Sequence, residues 1–235
     1  MSGDSFRVSV GLEEGADGAF LAHALTLPGC AAPGADPEGA VGALEGEVLA
    51  WLGFLAAAGE PVPPPEAEVE IAVDEWLRTD ARVAAGESTA CFAHDVRSLT
   101  DAETDAGLRR LGELRALLLA WVRRLPDEVA ERPLPGGGTV RRGLEELARA
   151  EWWLLSRLGA SPMAEPPDRT LGRLDTALAL VVEHFAHMPP ERRGALLEIE
   201  GEEWTPRKVL RRLLWTEWSM GRVVARALAE PHEER

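Results

Sequence analysis

Few side chains in this 235-residue chain have types and spacings that could do chemistry. His184 and His187, in EHFAH, stand three apart, so on a helix both imidazoles share a side. With a carboxylate from Glu146, Glu151 or Glu217 they would make a two-histidine, carboxylate set for zinc, nickel or manganese. Helical bundles that bind metal this way place a glutamate three residues before a histidine. Val181 stands three before His184, and His184 itself stands three before His187, so that signature is absent. His187 also falls at the end of its helical run, where the helix dipole favours an imidazolium. No metal or other cofactor is therefore expected.

A buried carboxylate is costly without a partner. If Glu151 and Glu217 point inward, an internal ion pair with Arg149, Arg212 or Arg222 is expected. Trp152, Trp153, Trp204, Trp215 and Trp218 suit core and interface positions, and an aromatic-lined pocket among them would take an apolar small molecule. His23 reads as a satisfied structural histidine, Cys30 as a small buried hydrophobe, and Glu13, Glu14 and Asp17 as a solvated turn. Cys30 and Cys91 are far apart and form no CxxC pair. The chain has no Walker loop, GxGxxG, GxSxG or HExxH, and the GGG at 136–138 reads as a loop.

The elements that must carry these residues change character along the chain. FRVSV (6–10) and AFLAHALTL (19–27) alternate in the manner of strands about a GADG turn. Asp36 caps a helix with Pro37 in its first turn, and Ala40, Leu44, Val48, Trp51 and Leu55 mark its apolar stripe up to Gly59. VEIAV (69–73) reads as a last strand. Residues 76–100 read as a linker with docking points, Trp76 and Leu77 among them. Four helical periods follow. They open at the capping box of Thr100 and Glu103, at Thr139, at Thr170, and at Thr205 with Pro206. Four helices with one apolar stripe each predict a four-helix bundle over 101–230, in a two-domain α+β protein.

Charge is uneven. Residues 1–80 hold 15 acidic and 2 basic side chains, within a chain of net charge −15. Such a surface repels phosphate backbones and suits a basic protein partner. No apolar run of membrane-spanning length and no leader are visible, so a cytoplasmic protein without membrane or nucleic-acid partners is expected.

Two stretches carry family resemblance. LPGCAAPGADPEGAVGALEGEVLAWL followed by GEPVPPP, within a β-β-β-α-β order over residues 1–75, resembles the HicB-like antitoxin family. That resemblance implies a module that binds a small basic protein. GLEELARAEWWLLSRL and WTPRKVLRRLLWTEWSMGRV resemble the DinB-like four-helix-bundle family, whose members hold a divalent metal with three histidines. By that resemblance Glu146, Thr216 and Met220 occupy the ligand positions, which implies a bundle without its metal. The candidate pocket is then Glu146, Glu151, Trp152, Thr216, Glu217 and Met220, with His184 and His187 as alternative ligands. The expectation is a non-catalytic binding protein and a homodimer. The alternatives are a metal-dependent hydrolase or thiol transferase with unconventional ligands, and an antitoxin-like protein with a small basic partner.

Overall fold

The computed structural model describes residues 5–134, 137–159 and 169–229. Residues 1–4 of the expected module, Gly136 of the GGG loop and residue 230 lie outside them. Among the described residues the fold is mixed α+β, a small sheet and six helices, and it divides into two compact units. One comprises residues up to Ser98 together with Gly194–Arg211, and the other comprises Leu99–Arg193 and the chain from Arg212 onward.

In the first unit, strands β1 (Ser5–Glu14), β2 (Phe20–Ala24), β3 (Ala31–Gly34) and β4 (Glu68–Arg78) form a sheet in the order β3-β2-β1-β4. Helix α1 (Pro37–Ala57) intervenes between β3 and β4, so the β-β-β-α-β order is realised. The β1–β2 and β2–β3 pairs are antiparallel, and β1–β4 is parallel. The Asp36 carboxylate accepts from the Gly39 N–H at 2.7 Å, capping α1, and Gly59 takes φ +77° just past its end. Ala40, Leu44, Val48, Trp51 and Leu55 are the buried stripe of α1, which packs on β2 and β3. Where no apolar run of membrane-spanning length was expected, α1 holds an 18-residue window of mean hydropathy 1.5, long and apolar enough by length and composition alone to cross a membrane.

β1 alternates. Val8, Val10 and Leu12 are buried on one face, while Gly11 and Glu13 point to the other. β4 follows this alternation through a bulge. Val10 pairs Val73 but Gly11 pairs Glu75, which leaves Asp74 as the extra residue. Parallel partners point the same way, so Val69, Ile71, Val73 and Trp76 share the Val8–Val10–Leu12 face. β4 thus extends five residues past the strand expected at 69–73, to Arg78.

The expected linker is built into this unit. Thr79, Ser88, Thr89 and Ala90 bond to Glu13 of β1, and a hairpin of β5 (Leu197–Ile199) and β6 (Glu202–Trp204) belongs to the same unit. Trp76, expected as an anchor, is half exposed, although its ring meets Phe20 edge-on and its indole N–H donates to Glu14 at 3.1 Å.

In the second unit, α2 (Asp101–Val122), the single turn α3 (Asp127–Ala130), α4 (Val140–Ser156), α5 (Thr170–Ala186) and α6 (Pro206–Ala229) supply the elements. Thr100 and Glu103 form the capping box of α2, and Thr139 caps α4. Leu118 of α2, Leu144 and Leu147 of α4, Leu174 of α5, and Met220 and Val224 of α6 share one apolar core. The residues of α6 up to Arg211 belong to the first unit and those from Arg212 to the second.

Candidate functional site

Two buried clusters of charge stand out, one in each unit. In the first unit, Glu13 at the end of β1 is fully buried, where a solvated turn was expected. Its Oε1 accepts from the Thr79 hydroxyl at 2.9 Å and from the Thr89 and Ala90 N–H groups at 2.9 and 3.1 Å. Its Oε2 accepts from the Ser88 hydroxyl at 2.6 Å and faces His23 Nε2 at 3.2 Å. Burial pushes the Glu13 carboxyl up, but the bonds from His23, Ser88 and Thr89 outweigh it and hold the pKa at about 2.

His23 stands opposite Gly11, on β2. Arg211 Nη1 lies 2.9 Å from its Nδ1. A guanidinium only donates, so Nδ1 must accept and the proton must sit on Nε2, facing Glu13. The ring is therefore neutral. Burial, and then the Arg211 charge, lower its pKa to about 4. Arg211 forks onto Asp95, with Nε to Oδ1 at 3.0 Å and Nη2 to Oδ2 at 2.7 Å, and Asp95 also accepts the Phe92 N–H. Burial raises the Asp95 carboxyl, but Arg211 holds it below the ordinary range. The Phe92 ring packs edge-on against His23, with centroids 5.3 Å apart.

The start of α6 completes this interior. Lys208, the chain's only lysine, is fully buried. Its Nζ donates to the Thr89 and Glu203 carbonyls at 2.7 Å each and to Glu202 at 2.9 Å, and lies over the Trp204 ring. Thr205 accepts the Lys208 N–H as the helix cap and donates to the Asp95 carbonyl. Arg207 donates to the Arg97 and Ser98 carbonyls. Arg207, Lys208 and Arg211 thus tether residues 89–98. The expected structural role of His23 fits its place, whereas Glu13 and Asp95 were not foreseen as its partners. Glu13, His23, Ser88, Asp95, Thr205, Arg207, Lys208 and Arg211 are all buried, so none of them presents a reactive atom to solvent. Burial pushes the Cys30 thiol up to about 12 and the Cys91 thiol up to about 11, which removes both as nucleophiles near neutral pH.

In the second unit, Glu151 of α4 and Glu217 of α6 do point inward. Their partner is Arg115 of α2, not Arg149, Arg212 or Arg222. Arg115 forks onto Glu217, Nε to Oε1 at 2.7 Å and Nη2 to Oε2 at 3.0 Å. The same Nη2 donates to Glu151 Oε1 at 2.6 Å, and Nη1 donates to the Leu174 carbonyl of α5. Glu151 Oε2 is buried and has no hydrogen-bond partner. Burial pushes the Glu151 carboxyl up to about 8, with the Glu217 carboxylate adding to the rise and Arg115 opposing it.

The other expected pocket residues do not gather there. Glu146 is exposed on α4 and pairs with Arg142 four residues earlier at 2.8 Å. The Thr216 hydroxyl turns back onto the Arg212 and Leu213 carbonyls, so it satisfies its own helix. Met220 packs in the apolar core, its sulfur 2.9 Å from where a Cβ on Gly143 would sit. Trp152 is half buried. Burial, and then Arg192, lower the pKa of half-buried His184, and His187 Nδ1 lies 2.9 Å from the Glu183 carbonyl at the end of α5. Among the described residues, no three of the His, Cys, Asp and Glu side chains are grouped to hold a metal ion, so the two-histidine, carboxylate set does not assemble. Arg115 escaped notice because it falls in the apolar stripe of α2, beside Leu114. A lone arginine in such a stripe was the available signal.

The apolar face of β4 is the remaining candidate. α1 covers β2 and β3, which leaves Val73 45% and Trp76 51% exposed at the sheet edge, beside half-buried Val69 and Ile71. Glu68, Glu70 and Asp74 of the same strand are exposed and belong to its other face, with Ser5, Arg7 and Ser9, so the edge strand has one apolar and one acidic face. Comparison of the chain with protein-family models finds no match, and comparisons with curated proteins and with solved structures find none either.

Proposed function

We propose that this chain is a non-catalytic binding protein whose acidic αβ unit docks a small basic partner on the β4 shelf. The observation that carries the reading is the half-exposed row Val69, Ile71, Val73 and Trp76 on an edge strand within a strongly acidic segment. An edge strand can extend its sheet with an incoming strand, and exposed tryptophan is a common anchor at interfaces. Acidic side chains on the other face of this edge strand oppose pairing with a second acidic copy and attract a basic strand. The β-β-β-α-β order, and the four long helices sharing a core, support the further reading as a HicB-like module followed by a DinB-like bundle. Arg115 between Glu151 and Glu217 supplies an internal cation to that bundle's interior, in keeping with a binding role rather than a metal-dependent one.

The test is capture of partners from the native cell by the full chain and by its Trp76→Ala and Val73→Asp variants. A stoichiometric basic protein is expected, released by salt and held about tenfold or more less tightly by either variant. Equal capture by all three proteins would sink the assignment of the shelf. Sedimentation reads the other occupant: a dimer of the full chain that Trp76→Ala dissolves would place a second copy on the shelf instead.

A further inference from the structure

The interior of the second unit holds two carboxyl groups and one guanidinium. Glu151, Glu217 and Arg115 are each at most 2% exposed. If both carboxyls were ionised, the cluster would bury a net negative charge far from water, which is costly. The groups facing Glu151 are Arg115 from α2 and Glu217 from α6, while α5 contributes the Leu174 carbonyl that receives Arg115 Nη1. Arg212, a further buried cation of α6, lies over the Trp153 ring, 5.4 Å from its centroid.

We infer that this cluster is a proton-holding device: Glu151 is a neutral carboxylic acid at neutral pH, and loss of its proton to solvent loosens the packing of α2, α4 and α6. The geometry assigns the proton. Glu217 receives the two-pronged fork of Arg115, the arrangement that best compensates a full negative charge. Glu151 receives a single bond from an Nη2 already shared with Glu217, and its other oxygen has no donor at all. An ionised Glu151 would leave that oxygen charged, buried and unmatched, whereas protonation removes the net charge. Alkaline pH takes the proton away, and the helices must then part or admit water to solvate the second carboxylate. The inference does not rest on the docking shelf, which lies in the other unit.

The experiment is infrared spectroscopy of the full chain with ¹³C-labelled glutamate, with hydrogen exchange of α4 alongside. At about pH 6.5 a buried carboxylic-acid carbonyl band of glutamate is expected, since an ordinary glutamate is ionised there. The band should fade as pH rises through about 8 and be missing in Glu151→Gln. The opening equilibrium of α4, corrected for intrinsic exchange, should rise by up to about tenfold per pH unit below that point in the wild type and stay flat in Glu151→Gln. Absence of the band at about pH 6.5 overturns the inference, as does its persistence in Glu151→Gln or an equal pH slope in both proteins. If Glu151→Gln fails to fold, the wild-type titration alone decides.

Discussion

Gly11 shows how a residue that does no chemistry can hold a charge network in place. A Cβ at this position would lie 2.6 Å from the Phe92 ring, far inside contact distance. The missing side chain lets Phe92 sit flat on the sheet, where it packs against His23 and under the Arg211 guanidinium. Gly11→Ala is therefore expected to cost about 1–3 kcal/mol by overpacking, read as a lowered urea midpoint. Loss of hydrogen-exchange protection in β1 and β2 should precede that in α4. A variant as stable as the wild type would mean that Phe92 has room to move. At this scale the sequence was only partly legible. His23 could be recognised as structural from its place in an alternating strand. Glu13 could not be recognised as buried, because three of its five hydrogen-bond partners come from Ser88, Thr89 and Ala90, more than 70 residues away. Arg115 was hidden for the same reason, being 36 residues from Glu151 and 102 from Glu217.

Elements were more legible than sites because their signals are local. Asp36, Thr100, Thr139 and Thr205 all cap the helices they were expected to cap, since a cap is decided within three or four residues. The β5–β6 hairpin went unread, although Glu200-Gly201 between two short runs was a turn signal; both residues take positive φ, 57° and 81°. The β4 bulge was invisible because it exists only in the pairing with β1. It carries a prediction at this scale. Deleting one residue from a strand normally turns every later side chain to the wrong face. Deleting Asp74 should instead bring Glu75 directly after Val73, which is the spacing of their partners Gly11 and Val10. The deletion is expected to fold with Trp76 still on the Val73 face. Its cost should be about 1 kcal/mol or less, because the bonds from Arg7 and Ser9 to Asp74 that it removes are solvent-exposed. Deletion of Glu70, which is paired in regular register, should unfold the sheet. Circular dichroism and thermal melts of the two deletions compare them directly, and equal damage from both would remove Asp74 from its role as the spare residue.

For the whole molecule, net charge was legible but the direction of proton linkage was not, because that direction depends on which charges become buried together. The first unit holds His23 at about 4 and Glu13 at about 2, both below their ordinary values. Between ordinary and folded values such groups bind fewer protons folded than unfolded. Their stabilisation is complete above the ordinary values, 6.5 for the histidine and 4.5 for the carboxyl, and is lost as pH falls through about 4 and then about 2. Glu151 in the second unit works the other way. Its folded value of about 8 exceeds 4.5, so its contribution is complete below 4.5 and is lost as pH rises through about 8. The two units should therefore answer the same acid step with opposite signs. Going from about pH 7 to pH 5, peptides from β1 and β2 should lose about 2 kcal/mol of exchange protection, while peptides from α4 gain a similar amount. Peptide-resolved hydrogen exchange, corrected for intrinsic rates, measures both in one sample. A common loss in both units would mean that self-repulsion of the whole −15 chain, rather than these two clusters, governs its response to pH. A divergence abolished by Glu151→Gln in α4 alone would tie that half of the response to a single carboxyl group.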